Sequence, residues 1–184
     1  MNHKALLTIS VLAIVLAGCN DKTSEYQAPA AQAEVPAPPA ADANAPANAA
    51  LLSEFKGDLS SLGKADLCAL DAVNGKSPIE GSFEVPTNTP VAFEGWAATT
   101  SLTNPGTVTV VLSAMDKAFA ISGNAGIARD DVAKAYKAEA LSNSGFKLEL
   151  PSLQVPAGEY TVAILHDEAG VQVSCASPLK LAVR

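Results

Sequence analysis

The alternation of apolar and polar positions divides the chain into three parts. An apolar run covers residues 5–16, a stretch with almost no large apolar side chains covers residues 20–50, and short β-prone runs separated by turn residues fill the chain from Asp66 onward. Short strands punctuated by Gly, Pro and Asn are typical of a sandwich or barrel. The pattern therefore predicts one mostly β domain over residues 51–184.

The β-prone runs predict individual strands, and two other segments break their pattern. Strands are predicted at residues 67–73, 82–85, 91–97, 107–114, 118–122, 146–150, 160–166, 171–176 and 179–183. Residues 129–141 are rich in Ala and Lys and predict one short inserted helix, capped by Asp130 or Asp131. Residues 51–62 place large apolar side chains near one helical face, which predicts a helix-like or irregular entry segment.

The first residues have the organisation of an export signal. Lys4 gives a basic start, an apolar run of about 12 residues follows, and small residues precede Cys19. A transmembrane helix needs roughly 20 apolar residues, so this run is too short to span a bilayer. Leu16-Ala17-Gly18-Cys19 resembles the lipobox of bacterial lipoproteins, which implies that residues 1–18 are removed as a signal peptide and that Cys19 is acylated. By that family's sorting habit, Asn20 in place of Asp favours the outer membrane, with the domain in the periplasm or at the cell surface.

Residues 19–50 predict a disordered tether between the lipid on Cys19 and the folded domain. Ala, Pro, Gln and Asn dominate this stretch, Tyr26 is its one aromatic residue, and Val35 is its one β-branched aliphatic residue. Such a composition cannot bury enough apolar surface to form a core. We therefore expect a spacer that holds the domain beside its membrane.

The formal net charge of −7 restricts the partners of the protein. Nucleic-acid binding needs clustered Lys and Arg to neutralise phosphates, so this charge argues against a nucleic-acid partner. It equally argues against electrostatic docking on anionic lipid. Membrane attachment is therefore expected through the lipid on Cys19.

Two cysteines remain once Cys19 carries lipid. Cys68 and Cys175 form an even pair in a chain that is expected to enter an oxidising compartment, which predicts a disulfide between them. A redox-active pair is disfavoured because the Cys-x-x-Cys spacing that tunes thiol pKa is missing.

No group of residues predicts catalytic or metal chemistry. His166 is the only histidine left after removal of the leader, and it has no histidine partner for a metal. His166-Asp167-Glu168 could hold a cation weakly, but consecutive strand residues point to opposite faces, so we expect a solvated hairpin end there instead. Ser61-Leu62-Gly63-Lys64 and Gly75-Lys76-Ser77 match fragments of catalytic and phosphate-binding motifs whose companion residues are missing, so both are interpreted as chance. We expect no cofactor and no metal site.

Trp96 is the single tryptophan of the chain. An exposed tryptophan would indicate a platform on which a sugar ring stacks. Because Trp96 lies in a strand that also carries Val91 and Phe93, we expect instead that it is buried against the helix or the disulfide.

Several short motifs together resemble a family. They are Cys68 with Asp71-Ala72-Val73-Asn74-Gly75, Gly95-Trp96-Ala97, Arg129-Asp130-Asp131-Val132-Ala133, Ser144-Gly145-Phe146, Pro156-Ala157-Gly158-Glu159-Tyr160 and a closing Cys175. This set is similar to an immunoglobulin-like module of proteobacterial envelope lipoproteins. The resemblance implies a Greek-key β-sandwich with one short inserted helix and no assigned catalytic residues. It also favours a fixing salt bridge between Arg129 and an adjacent Asp over a ligand role for Arg129.

The function expected from the sequence is a non-catalytic β-sandwich module that binds or spaces a partner in the bacterial envelope. That partner is a protein, peptidoglycan or a surface polysaccharide. The alternative is a glycan-active enzyme that uses carboxylates with raised pKa values around Asp71, Asp130 and Asp131, or an inhibitor of an exported enzyme. The sequence assigns no binding residues, although position alone suggests contacts from the loop at residues 99–106 and from Asp167 and Glu168.

Overall fold

The computed structural model describes residues 50–184. The expected signal peptide, the lipidation site Cys19 and the tether up to residue 49 lie outside the described residues. Among residues 50–184, no helix has both the length and the apolar composition needed to cross a bilayer.

The described residues form strands, one α-helix and short 3-10 turns at Leu59–Ser61 and Glu139–Leu141. The strands are β1 (Leu51–Glu54), β2 (Gly63–Lys64), β3 (Cys68–Val73), β4 (Ser82–Val85), β5 (Val91–Ala97), β6 (Thr107–Ala114), β7 (Lys117–Ile127), β8 (Gly145–Leu150), β9 (Gly158–Glu168) and β10 (Val171–Val183), and the helix is α1 (Asp130–Tyr136). The prediction of a mostly β domain with one short helix is confirmed.

All strands belong to one curled, mixed sheet. Its order is β2-β10-β9-β6-β7-β8-β5-β3, with β1 paired to β7 and β4 paired to β10. β7 joins two layers, because residues 117–124 pair with β6 whereas Ala125 and Ile127 pair with β8. β10 runs parallel to β2 and β4, and the other pairs are antiparallel.

The main core lies inside the curl. Its largest fully buried side chains include Phe93, Phe146, Leu112, Ile121, Leu148, Ile164 and Leu181. They come from alternate positions of strands in both layers, as expected when one face of each strand points inward. A separate apolar cluster covers the outside of β6, β7 and β9, where Phe55, Leu59 and Leu62 pack over Val111, Ala120 and Leu165.

Cys68 and Cys175 form the predicted disulfide. It joins β3, the last strand at one end of the sheet, to β10 near the other end, with 6.3 Å between the two Cα atoms. β3 and β10 share no ladder of backbone hydrogen bonds among the described strand pairs. The disulfide is therefore the covalent connection that holds the curled sheet closed.

The structure differs from the prediction in the entry segment and in the last strands. The entry segment is helix-like only at the 3-10 turn Leu59–Ser61, whereas Leu51–Glu54 is strand β1, paired with β7, because tertiary pairing overrides a weak local helical pattern. The two strands predicted at residues 171–176 and 179–183 are one strand, β10, whose register shifts between Ala176 and Lys180. The shift accommodates Pro178, which cannot donate a ladder hydrogen bond.

The helix is shorter than predicted and is not capped by a side chain. Its N-cap residue is Arg129, and no side-chain hydrogen bond caps it, so the expected capping by Asp130 or Asp131 is wrong. Both acids lie in the first turn instead, where a negative charge favours the helix dipole. The helix ends because Lys137 adopts a left-handed conformation with φ of 54°.

Candidate functional site

Arg129 connects the helix to the outer face of the β3–β5–β8 layer. Its Nε and Nη2 atoms donate to both carboxylate oxygens of Asp131 at 2.8 Å, and Nη1 donates to Asp71 at 2.6 Å. Asp71 lies at the irregularity of β3, where the register to β5 shifts between Leu70 and Ala72. The expected salt bridge of Arg129 is therefore present, with a second acid, Asp71, that comes from a distant strand.

This layer has a glycine at a close approach on each of its faces, Gly145 on the outer face and Gly95 on the core face. A Cβ at Gly145 would lie 2.8 Å from Cγ of Arg129, so the arginine stem runs directly over this position of β8. A Cβ at Gly95 would meet the carbonyl oxygen of Ala69 and the ring of Phe146. The segments around Asp71, Trp96, Arg129 and Gly145 therefore lie side by side on this layer, whereas residues 156–160 lie at the start of β9 and Cys175 lies on β10.

Trp96 lies on the same outer face and is buried under the helix, as expected. It packs with Val132, Ala133 and Leu141, and 9% of its surface is exposed. The Tyr136 ring lies 5.5 Å from the Trp96 ring, and Tyr136 itself keeps 39% of its surface exposed. The ring that solvent can reach at this place is therefore that of Tyr136.

The carboxylate of Asp131 is held in the ionised state. The hydrogen bonds from Arg129 lower the pKa of Asp131 to about 2, and the two acids in turn raise the pKa of Arg129 above its ordinary value. A carboxyl group that donates a proton to a glycosidic oxygen needs the opposite, a raised pKa. The condition that would favour the glycan-active enzyme is thus not met at Asp131.

Acid should weaken the ion pair between Arg129 and Asp131. The pKa of Asp131 is lowered in the folded protein, so its contribution to stability is fully present above its ordinary pKa of 3.8 and is lost as the pH falls toward about 2. We expect the urea midpoint to fall over that pH range by more in the native chain than in Asp131→Asn, which cannot titrate. Equal acid sensitivity of the two proteins would contradict this account of the ion pair.

The loop at residues 99–106 is tightly ordered by its own polar groups. The Thr99 backbone N–H donates to the Thr103 carbonyl at 3.0 Å, and the two hydroxyl groups of these residues lie 2.7 Å apart. Asn104 donates to the Asn143 carbonyl at 2.6 Å and accepts from the Gly106 N–H at 2.8 Å. The loop is therefore fixed both internally and to the segment before β8.

The hairpin end at residues 167–170, between β9 and β10, also forms hydrogen bonds with this loop. One Glu168 oxygen accepts from the backbone N–H of Thr100 at 2.9 Å, and the other accepts from the Thr100 hydroxyl at 3.2 Å. The loop and the hairpin tip, which the sequence suggested as separate contact positions, thus form one surface. We call this surface the loop end, defined as residues 99–106 together with residues 167–170.

His166 is not at a solvated hairpin end, and that expectation is wrong. Its side chain is fully buried, with Val108 and Val173 as its neighbours on the adjacent strands. Nε2 lies 3.5 Å from Glu168, and neither ring nitrogen has a hydrogen-bond partner among the described residues. The side chain faces inward because β9 alternates, and Ile164 on the same side belongs to the core.

The other surface features among residues 50–184 include a groove and the two motif fragments. A groove of about 750 Å³ at the opposite end of the sheet is lined mainly by Val73, Lys76, Ile79, Phe83, Glu84 and Arg184. Within residues 50–184, no three His, Cys, Asp or Glu side chains come together as a metal site would require. The Ser61–Lys64 and Gly75–Ser77 fragments lie at exposed positions on separate segments, which agrees with their interpretation as chance.

Comparison with protein-family models, with curated proteins and with solved structures found no match for this chain.

Proposed function

We propose that the protein is an exported lipoprotein, anchored through Cys19 in the bacterial envelope. The lipobox-like tetrapeptide before Cys19 supports this proposal. The disulfide between Cys68 and Cys175 supports it independently, because disulfides persist in oxidising compartments outside the cytoplasm. The residue after Cys19, Asn20, favours the outer membrane.

Within this setting, the domain is proposed to be a non-catalytic binding module whose contact surface is the loop end. The observation that carries the proposal is the pair of hydrogen bonds from Thr100 to Glu168, which fixes an exposed loop in one conformation. A loop that is ordered before binding loses little entropy when a partner docks. The same property suits an inhibitor of an exported enzyme. If the partner that binds this loop is an exported enzyme, the protein is proposed to be its inhibitor.

We also propose that the curled sheet is a variant of the immunoglobulin-like Greek-key sandwich. Tyr160 near the start of β9 supports it, because its hydroxyl donates to the Pro156 carbonyl at 2.7 Å, four residues upstream. This contact resembles the tyrosine corner of such sandwiches. The passage of β7 from one layer to the other is the feature in which this sheet differs from two separate layers.

Removing the Tyr160 hydroxyl should destabilise the domain. The hydroxyl belongs to a buried residue and its acceptor is a loop carbonyl, so Tyr160→Phe is expected to lower the free energy of unfolding by about 1 kcal/mol. Tyr136→Phe is the matched control, because the structure gives the Tyr136 hydroxyl no hydrogen-bond partner among residues 50–184. Urea unfolding of both variants makes the comparison, and equal stabilities would remove this support for the tyrosine corner.

The proposed function is tested in cells by chemical crosslinking and mass spectrometry of the tagged native protein beside Cys19→Ser. We expect a reproducible partner that is lost or weakened without the lipid, and incorporation of a labelled fatty acid only into the native protein. Labelling of both proteins would contradict the anchor. An anchored protein without any crosslinked protein or glycan would contradict the binding module.

A further inference from the structure

His166 is a buried titratable group beside the loop end. Its side chain has no exposed surface, and neither ring nitrogen has a hydrogen-bond partner among residues 50–184. A buried polar group without a partner lowers the stability of a fold, and most such groups in proteins are paired. An aliphatic side chain at this position of β9 would avoid that loss, so the histidine calls for an explanation.

One carboxylate oxygen of Glu168 is close to both this ring and the loop at residues 99–106. Oε1 lies 3.5 Å from Nε2 of His166, and the same atom accepts the backbone N–H of Thr100 at 2.9 Å. Oε2 accepts the Thr100 hydroxyl at 3.2 Å. The ring and the carboxylate form no hydrogen bond with each other. Within the described part of the chain, the hydrogen bonds of this carboxylate therefore go to the loop.

Glu168 is the charged group that faces the ring. It is the only acidic side chain of the described residues within salt-bridge distance of the ring nitrogens. The neighbouring strand residues, 107–109 of β6 and 172–174 of β10, carry no titratable side chain, and neither does the loop. Lys64 of β2 pairs with the strand residue next to the one opposite His166, so strand alternation points its side chain to the other face of the sheet.

Protonation of the ring changes which donor Glu168 binds. Histidine is the side chain whose charge ordinarily changes between about pH 8 and pH 5. The charged ring donates from both nitrogens, and a hydrogen bond between two charged groups is shorter and stronger than one from a neutral backbone N–H. Because Nε2 of His166 and the N–H of Thr100 address the same oxygen, the charged ring competes with the loop for Glu168.

The second ring nitrogen acts in the same direction. Nδ1 of His166 has no acceptor among residues 50–184, and a charged group that is buried with an unpaired donor is much less stable than a neutral one. Water must therefore reach the protonated ring, which requires the end of β9 to move. Because that end carries Glu168, its movement also breaks the contacts with Thr100.

We propose that His166 is a pH-sensitive switch that keeps the loop end fixed at neutral pH and releases it in mild acid. Protonation of the ring takes Glu168 from Thr100, and the loop then samples several conformations instead of one. The inference rests on the proposed function, because release affects a partner only if the loop end is the contact surface. Partner binding is then strong at neutral pH and weak at about pH 5.

The order of the loop can be measured without any partner. His166 is the only histidine after residue 18, so the proposed mature chain, made from residue 19 onward with Cys19→Ser, shows its ring titration by NMR without overlap. Protection of the Thr100 backbone N–H against hydrogen exchange, corrected for the intrinsic rate, is measured in the same samples at about pH 7.5 and about pH 5, where glutamate side chains ordinarily stay ionised. His166→Phe keeps a ring but cannot titrate, so it is the matched control.

We expect the protection of Thr100 to fall about tenfold between the two pH values, with the same midpoint as the ring titration. The N–H of Val110, in the middle of β6, should keep its protection. His166→Phe should show no fall at Thr100, and His166→Gln serves as a second control that cannot titrate if the first variant does not fold. A ring that stays neutral down to about pH 5, constant or rising protection in the native chain, or an equal fall in either variant would overturn the proposal.

A second measurement separates the switch from the contact surface. Crosslinking from the loop end is carried out in cell envelopes at both pH values, with the native chain and with His166→Phe. We expect capture by the native chain to fall in acid and capture by the variant to stay constant. A fall in Thr100 protection without capture at either pH would contradict the contact surface alone. Equal capture at both pH values, with constant protection, would overturn the switch alone.

Discussion

Replacing Cys68 and Cys175 together by alanine is expected to lower the free energy of unfolding by roughly 4.7 kcal/mol, the chain-entropy value for a closed loop of about 100 residues. The disulfide spans 107 residues and joins β3 to β10, which are the two regions of the curled sheet that no backbone ladder connects. Its loss therefore raises the conformational entropy of the unfolded chain and also removes the covalent link between β3 and β10 in the folded sheet. Urea unfolding at neutral pH measures the change.

Reduction provides the control for this prediction. A reductant should destabilise the native protein by the same amount and should leave the double-alanine variant unaffected. A thiol titration of the unfolded, unreduced domain should detect no free thiol. Two titratable thiols, or a destabilisation below about 1 kcal/mol, would show that the disulfide does not close the sheet.

Gly95→Ala is expected to destabilise the domain by about 3 kcal/mol, the upper part of the range for overpacked cores. A Cβ at this position would collide with the backbone carbonyl of Ala69 on β3 and would lie 2.7 Å from the ring of Phe146 on β8. Neither neighbour can move freely, because Phe146 is fully buried and Ala69 belongs to a paired strand. The added methyl group must therefore separate β5 from both of its neighbours.

Gly123→Ala is the matched control. A Cβ there would meet only the end of the Leu148 side chain, at 2.5 Å from Cδ2, which can change its rotamer. We expect a loss of about 1 kcal/mol for this variant. If the two variants unfold at the same urea concentration, the close approach of Ala69 to Gly95 is not a determinant of the fold.

The strands with strong β propensity and clear turn boundaries could be predicted from the sequence. β4, β5 and β6 begin and end where the pattern places them, because Pro, Asn and Gly stop pairing on both sides. Residues 51–62 could not be predicted correctly, because β1 forms only when β7 supplies its partner. The continuity of β10 likewise depends on pairing with β9 across an irregularity at Pro178.

The contacts between residues close in the chain could be predicted from the sequence, but the contacts between distant segments could not. The pairing of Arg129 with Asp131 follows from their closeness in the chain, whereas Asp71 comes from β3, 58 residues away, at the point where the register to β5 shifts. The contact between Thr100 and Glu168 joins residues that are 68 apart, and no local pattern reports it. The burial of His166 could not be predicted because a hairpin end is usually solvated, whereas β9 continues to Glu168 and its alternation places His166 on the same side as the core residue Ile164.

The most direct test of the binding module is a photo-reactive amino acid placed at Ser101, in the loop end, in the lipid-anchored protein in cells. The matched position is Asp116, which is also exposed but lies in the turn after the far end of β6, roughly 25 Å away at 3.3 Å per residue. The account predicts that Ser101 captures a distinct partner, that Asp116 does not, and that Glu168→Ala reduces the capture. Capture from Asp116 alone, equal capture from both positions, or none from Ser101 would contradict the assignment of the loop end as the contact surface.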